Sequence, residues 1–273
     1  MIVLIVLIVL IVLVVLALLF LLSLRGRTGH PGLKALHGWA YAHRGLHDEV
    51  RPENSMAAFR AALEGGYGIE LDLHLLKDGN LAVMHDSDLI RTTGKPGRIE
   101  DLTTENLKNY PLGGTTETIP TFREVLTLFG GKAPMIIELK TARSNGSALC
   151  EAVCRMLDDY RGPYCLESFD PRCLLWLRRH RPDIIRGQLS ENFIAHPVKA
   201  PLITQWLITT SAANLLTRPD FLAYKFEDRS RLSLHICRRW WHLQGVSWTI
   251  RRKEDYDQAV REGWLPIFEN FNP

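Results

Sequence analysis

The N-terminal stretch carries no charge. Residues 2–22 are Ile, Val and Leu with one Ala and one Phe, and contain no Asp, Glu, Lys or Arg. A solvent-facing helix is excluded by such a run, and a buried core helix is rarely so uniformly apolar. No basic residue precedes it, no small-x-small site follows it, and it exceeds the ~7–15 residues of a signal-peptide core, so cleavage is disfavoured. A bilayer span needs about 20 apolar residues, and the run is long enough to be a single-pass membrane anchor. Arg25, Arg27 and Lys34 follow it, with only Met1 before it, which places the remainder on the cytoplasmic side by the positive-inside tendency. Cysteine is sparse: five residues, an odd number without a disulfide-like framework, as suits a reducing compartment. Cys150 and Cys154 lie one helical turn apart, but no second His or Cys pair makes a zinc site. Nothing resembles a nucleic-acid-binding module. The formal charge of +3 gathers in residues 229–239 and 251–253, read first as solvated helix faces and second as an attraction for anionic lipid.

No second break in composition divides the rest. The chain is read as an anchor (1–24), a polar linker (25–38) and one domain (39–273). Apolar runs at 40–43, 69–74, 81–85, 135–140, 165–168, 184–188, 222–226, 245–250 and 265–268 read as strands. Between several of them lie helices. Asn54 is expected to cap one that ends at Gly65-Gly66, Pro120-Thr121 to start another, and Pro171 to open a third. Strand–helix alternation at this length predicts a mostly parallel sheet, closed as a barrel or doubly wound. Residues 87–118 are polar, Thr- and Gly-rich and too long for an ordinary loop, hence a small inserted subdomain.

Acids, imidazoles and cations recur at the ends of these runs. Glu70 and Asp72 are two apart on a strand and share a face. Two carboxylates in one pocket repel unless a cation lies between them, and Mg²⁺, Ca²⁺ or Mn²⁺ prefers oxygen ligands. Glu138 offers a third oxygen. His43 and His85 suit a base and an acid on opposite sides of a phosphorus. Arg44 is a planar fork for phosphate oxygens, Lys140 a point charge on the Glu138 face. His74 lies on the Glu70/Asp72 face, where it can line the pocket. His47, His180 and His242 lack such a context. One divalent cation and phosphodiester chemistry follow.

His43-Arg44-Gly45, Pro52-Glu53-Asn54-Ser55, Glu70-Leu71-Asp72, Lys77-Asp78-Gly79, His85-Asp86, Arg91-Thr92-Thr93, Ile119-Pro120-Thr121, Glu138-Leu139-Lys140, Ser168-Phe169-Asp170, Arg181-Pro182 and Trp248-Thr249 occur in this order. The ordered set resembles the glycerophosphodiester phosphodiesterase family over residues 40–270. The resemblance implies a TIM (β/α)₈ barrel with a small insertion after the second strand, here joined to one N-terminal transmembrane helix. It implies a metal on Glu70, Asp72 and Glu138, an acid/base pair of His43 and His85, and phosphate gripped by Arg44 and Lys140. Glu53 would support the metal or ligate it, and Trp248 would wall the glycerol or its substituent. The expected substrates are glycerophosphodiesters. Lysophospholipids cleaved at the headgroup side, or a silent membrane scaffold, are the alternatives.

Two departures stand out. The last strand of the family usually ends in Thr-Asp or Thr-Asn, whereas this chain has Glu269-Asn270, an acid in place of the threonine. The sequence also stops at Pro273, directly after that strand. Residues 29–39, a membrane or a partner are therefore expected to cover the flank where an eighth outer helix would lie.

Overall fold

A computed structural model describes residues 1–273. The strands are β1 (Tyr41–Ala42), β2 (Gly68–Leu75), β3 (Leu81–Val83), β4 (Met135–Leu139), β5 (Tyr164–Ser168), β6 (Arg186–Ser190), β7 (Phe221–Lys225), β8 (Gln244–Ile250) and β9 (Trp264–Phe268). The helices are α1 (Ile2–Ser23), α2 (Met56–Glu64), α3 (Ile90–Thr93), α4 (Phe122–Phe129), α5 (Gly146–Leu157), α6 (Pro171–His180), α7 (Leu202–Thr209), α8 (Asn214–Thr217), α9 (Leu232–Arg239) and α10 (Lys253–Arg261).

Eight strands run parallel, and the pairing of β1 with both β9 and β2 closes them into a TIM barrel. The ninth, β3, folds back antiparallel on the end of β2, with Leu73 opposite Val83. The run at 81–85 is thus no barrel stave. It opens the insertion, which has its own small core of Leu76, Met84, Leu89, Ile99, Leu107 and Ile119. The insertion is therefore wider than 87–118, because apolar side chains on both shoulders complete that core.

Alternation along each strand sorts the barrel wall. Ile69, Leu71 and Leu73 of β2 and Ile137 and Leu139 of β4 face outward, against Phe59, Phe122, Leu149 and Val153 of the helices. The intervening residues face inward. Low in the barrel these are apolar: Tyr41, Ile136, Cys165, Phe221, Val246 and Ile267. One step further along β2, β4 and β5 they are acids, with Asp72 opposite Glu138 and Glu138 opposite Glu167. An apolar plug with a polar layer above it directs chemistry to the C-terminal ends of the strands, as in barrels of this kind.

Helix starts follow their capping residues. The Thr121 hydroxyl and Glu124 form a capping box on α4, and Asp170 with Pro171 opens α6. For α2 the cap is Ser55, whose hydroxyl accepts from the Ala58 N–H, rather than Asn54. Asn54 has a positive φ of 55°, which releases its amide for the barrel interior.

The segment after α1 does not cover the outer flank. Arg27 pairs with buried Asp220 at 2.5 Å and bonds the Ile184 carbonyl. Leu36 is buried with the lower barrel core, and its carbonyl accepts from the Tyr41 hydroxyl at 2.6 Å. The linker therefore crosses the N-terminal ends of the strands as a floor. The flank beside β9 receives Phe271, packed edge-on against Phe268 and Tyr256.

Candidate active site

The acids on β2 and β4 converge. Oxygens of Glu70, Asp72 and Glu138 lie within 4.8 Å of one another, and all three residues are buried. The local electrostatics reflect this crowding. Burial, Asp72 and Glu138 push the Glu70 carboxyl well above the usual range. Burial also raises Glu138, to about 7, although Lys140 opposes it. For Asp72 burial is outweighed by Lys140, His85, Arg44 and the Asn54 amide, and its carboxyl falls well below the usual range. Asp72 Oδ1 accepts no hydrogen bond and has only the ionic contact of Lys140 Nζ at 3.2 Å. An all-oxygen donor set in which burial and neighbouring acids raise two carboxyls, with one orphaned oxygen on the third, fits a hard divalent cation.

Both imidazoles border this cluster, and each is held the same way. His43 Nδ1 lies 3.0 Å from Glu269 Oε2, and His85 Nδ1 lies 2.7 Å from Asp86 Oδ1. A carboxylate at Nδ1 fixes the proton there and leaves Nε2 free toward the cavity. His43 Nε2 is 3.9 Å from Glu70. Burial lowers both imidazoles from their ordinary value, against the raising effect of Glu269 on His43 and of Asp72 on His85. Burial opposes ionisation of Glu269 too, yet the bond from His43 and the charges of His43 and Arg251 bring it down to about 2.

Arg44 sits in the turn after β1 with φ 55°. Its backbone N–H donates to Glu70 at 3.1 Å and its guanidinium to Glu53 at 3.0 Å. Lys140 bonds Glu138 at 3.0 Å. Glu53 joins Arg44 to Arg91 of α3, at 2.6 Å, and so ties the insertion to the mouth. His74 does not reach the cavity. Its Nδ1 meets Glu100 of the insertion at 3.0 Å and its Nε2 the His85 carbonyl at 3.2 Å, so it supports His85 from behind.

A cavity of about 50 Å³ is lined by His43, Arg44, Glu70, His85, Glu138 and Glu167, with Phe169, Leu189, Trp248 and Ile267 as its apolar wall. Trp248 stands edge-on to Phe169 at 5.7 Å. Beyond the His43–Glu269 bond lies an open groove of about 530 Å³ that includes His47, Asp48, Arg51 and Asn270.

Five residues of the site and its rim escape a reading of the sequence. Glu167 was signalled only as a lone acid two residues from Cys165 on an apolar strand; it is buried, and one of its oxygens is unpartnered. Asn54 bonds Asp72 Oδ2 at 2.9 Å. Asp86 stands in the His85-Asp86 motif without an evident task. Glu269 looked like a lost threonine, and His47, without context in the sequence, lies 3.8 Å from it.

Known proteins share this arrangement of chain. A glycerophosphodiester phosphodiesterase of Caldanaerobacter subterraneus is 30% identical over 235 residues, covering 81% of this chain and 89% of that protein. One from Bacillus altitudinis is 43% identical over 169 residues, 58% of this chain and 68% of that protein. The barrel superposes on an Oleispira antarctica phosphodiesterase solved with the product sn-glycerol-3-phosphate, at TM-score 0.72 and 20% identity, covering 90% of this chain and 96% of that one. A Thermotoga maritima glycerophosphodiester phosphodiesterase gives 0.66 at 24% identity over 85% and 94% of the two chains. Residues 43–265 match the glycerophosphoryl diester phosphodiesterase family, and the chain belongs to that family of enzymes.

Proposed function

We propose that this enzyme hydrolyses glycerophosphodiesters to glycerol 3-phosphate and an alcohol, in a barrel held at the membrane by α1 with its mouth on the cytoplasmic side. The observation that carries the reading is the pair of imidazoles, each fixed by a carboxylate at Nδ1 and bordering one acid cluster. One histidine takes the proton of the glycerol 2-hydroxyl as its oxygen attacks phosphorus. The other gives a proton to the departing alcohol as the P–O bond breaks. In the second step the roles reverse: water adds to the cyclic phosphate, the bond from phosphorus to the 2-oxygen opens, and glycerol 3-phosphate remains. Arg44 and Lys140, the cations beside the cavity, hold the phosphate. A divalent cation on Glu70, Asp72 and Glu138 would neutralise charge on the non-bridging oxygens and orient the glycerol. Glu53 and His74 support the site, and Trp248 walls it.

Product analysis tests this. Glycerophosphocholine is expected to release glycerol 3-phosphate, and EDTA to stop it. A preference for lysophosphatidylcholine above about tenfold, ~1.4 kcal/mol of discrimination, would favour the lysophospholipid reading suggested by α1 and the apolar wall. Binding without turnover under Mg²⁺, Ca²⁺ and Mn²⁺ would favour a scaffold.

Glu269→Gln identifies which histidine does what. The negative charge of Glu269 favours protonated His43, so its loss moves the His43 titration to lower pH. If His43 is the base, the acid limb of the kcat profile shifts down; if it is the acid, the alkaline limb does. A fall in kcat of roughly 10- to 100-fold accompanies either. A profile with neither limb moved would remove Glu269 from the mechanism.

A further inference from the structure

We infer that α7, α8 and the C-terminal end of α9 form a collar that sits in the membrane interface around the exit of α1, so that the barrel lies on the bilayer in one fixed orientation. The inference rests on α1 being a membrane anchor. Three elements grip its last turn. Phe20 meets Trp206 of α7 with ring centroids 6.0 Å apart. Asn214 of α8 donates to the Leu24 carbonyl at 2.9 Å. The Trp241 indole, just past α9, donates to the Leu21 carbonyl at 3.0 Å, and Arg25 lies over that ring at 5.5 Å. Each of the three elements also exposes large apolar side chains beside the grip: Leu202, Ile203 and Trp206 on α7, Leu215 and Leu216 on α8, and Trp240 after α9. Leu202 is 81% exposed and Trp240 61%. Exposed apolar side chains on three elements that all meet the end of α1 need an occupant.

The length of α1 selects lipid. Of its 22 residues, the last turn (20–23) is engaged by the barrel. The 18 that stand free span about 27 Å at 1.5 Å per residue, against a hydrocarbon core of about 30 Å. A span that short cannot hold the barrel clear of the bilayer; it draws the collar down into the headgroup region. There tryptophan is favoured, and Arg25, Arg218 and Arg239 meet lipid phosphates.

The test uses the full chain in nanodiscs of phosphatidylcholine and phosphatidylglycerol. The five native cysteines are buried, so a nitroxide can be placed singly through Leu202→Cys, Leu216→Cys, Leu10→Cys within the span, and Arg155→Cys on the exposed face of α5. Positions 202, 216 and 10 are expected to be more accessible to oxygen than to a water-soluble nickel chelate, and position 155 the reverse. If 202 and 216 behave like 155 while 10 stays in lipid, the anchor stands and the collar is wrong. Water exposure at position 10 would refute both. Shielding of 202 and 216 from both reagents, with dipolar broadening between copies, would assign the patch to a second copy of the chain and overturn the inference.

Discussion

His43→Ala and His85→Ala are each expected to reduce kcat on glycerophosphocholine by about 10²- to 10⁴-fold, the range of a lost general acid or base. Neither imidazole is needed to hold the barrel. His43 lies beyond the two residues of β1, and His85 beyond the three of β3. What each loses is its free Nε2, since Nδ1 is already committed to Glu269 or Asp86. The melting temperature should therefore stay near that of the wild type while turnover collapses. The double variant should be little worse than either single one, because a proton relay missing one member is already broken. A wild-type rate in either single variant would end the two-histidine mechanism.

Removal of divalent cations is expected to abolish turnover and also to lower stability, in a way that depends on pH with a definite sign. Glu138 is raised to about 7 in the folded chain, above the ~4.3 of a free glutamate. Between those values the folded state holds a proton that the unfolded state has released. The contribution of Glu138 to the stability of the cation-free protein therefore falls as pH rises from about 4 to about 7 and is lost above 7, whereas His43 and His85, both lowered by burial, act in the opposite sense as pH rises toward their ordinary value. Glu70 is displaced in the same direction as Glu138. Asp72 is displaced oppositely, but its window lies at strongly acid pH. A bound cation favours the ionised acids, so its stabilisation should be larger at pH 8 than at pH 5.5. At 100 times the dissociation constant it would be about 2.7 kcal/mol. Thermal melts with and without Mg²⁺, Ca²⁺ or Mn²⁺ at the two pH values read this without any substrate. Asp72→Asn should lose both the shift and the activity. An equal response of that variant to cation would mean that the ion binds elsewhere.

Much of the barrel is legible in the residues because a buried stave leaves a two-residue rhythm. In β2 that rhythm separates Ile69, Leu71 and Leu73 from Glu70 and Asp72, and the structure turns the first set to the helices and the second to the interior. β1 is shorter than its apolar run because His43-Arg44-Gly45 turns away, with Arg44 and Gly45 both at positive φ. Other features depend on distance across the fold. Nothing near Asn54 announces that Asp72, 18 residues away, will be its partner. Glu269 lies 226 positions from His43, and a departure from the family's threonine says what is missing but not what the new acid reaches. The place of the linker is hidden for a similar reason: Leu33 and Leu36 are short apolar interruptions of a polar stretch, and only the closed barrel supplies the hole that Leu36 fills.

Leu36 and Arg27 have a practical consequence. The join between α1 and the barrel is itself the lid on the barrel's lower end, so helix and fold are not detachable parts. A water-soluble version of this enzyme has to keep Leu24, buried against the barrel, as well as Arg27 and Leu36. Started at Trp39, it would surrender Arg27 from the side of Asp220 and Leu36 from the bottom of the stave cylinder, opening to water the apolar layer on which the acids rest.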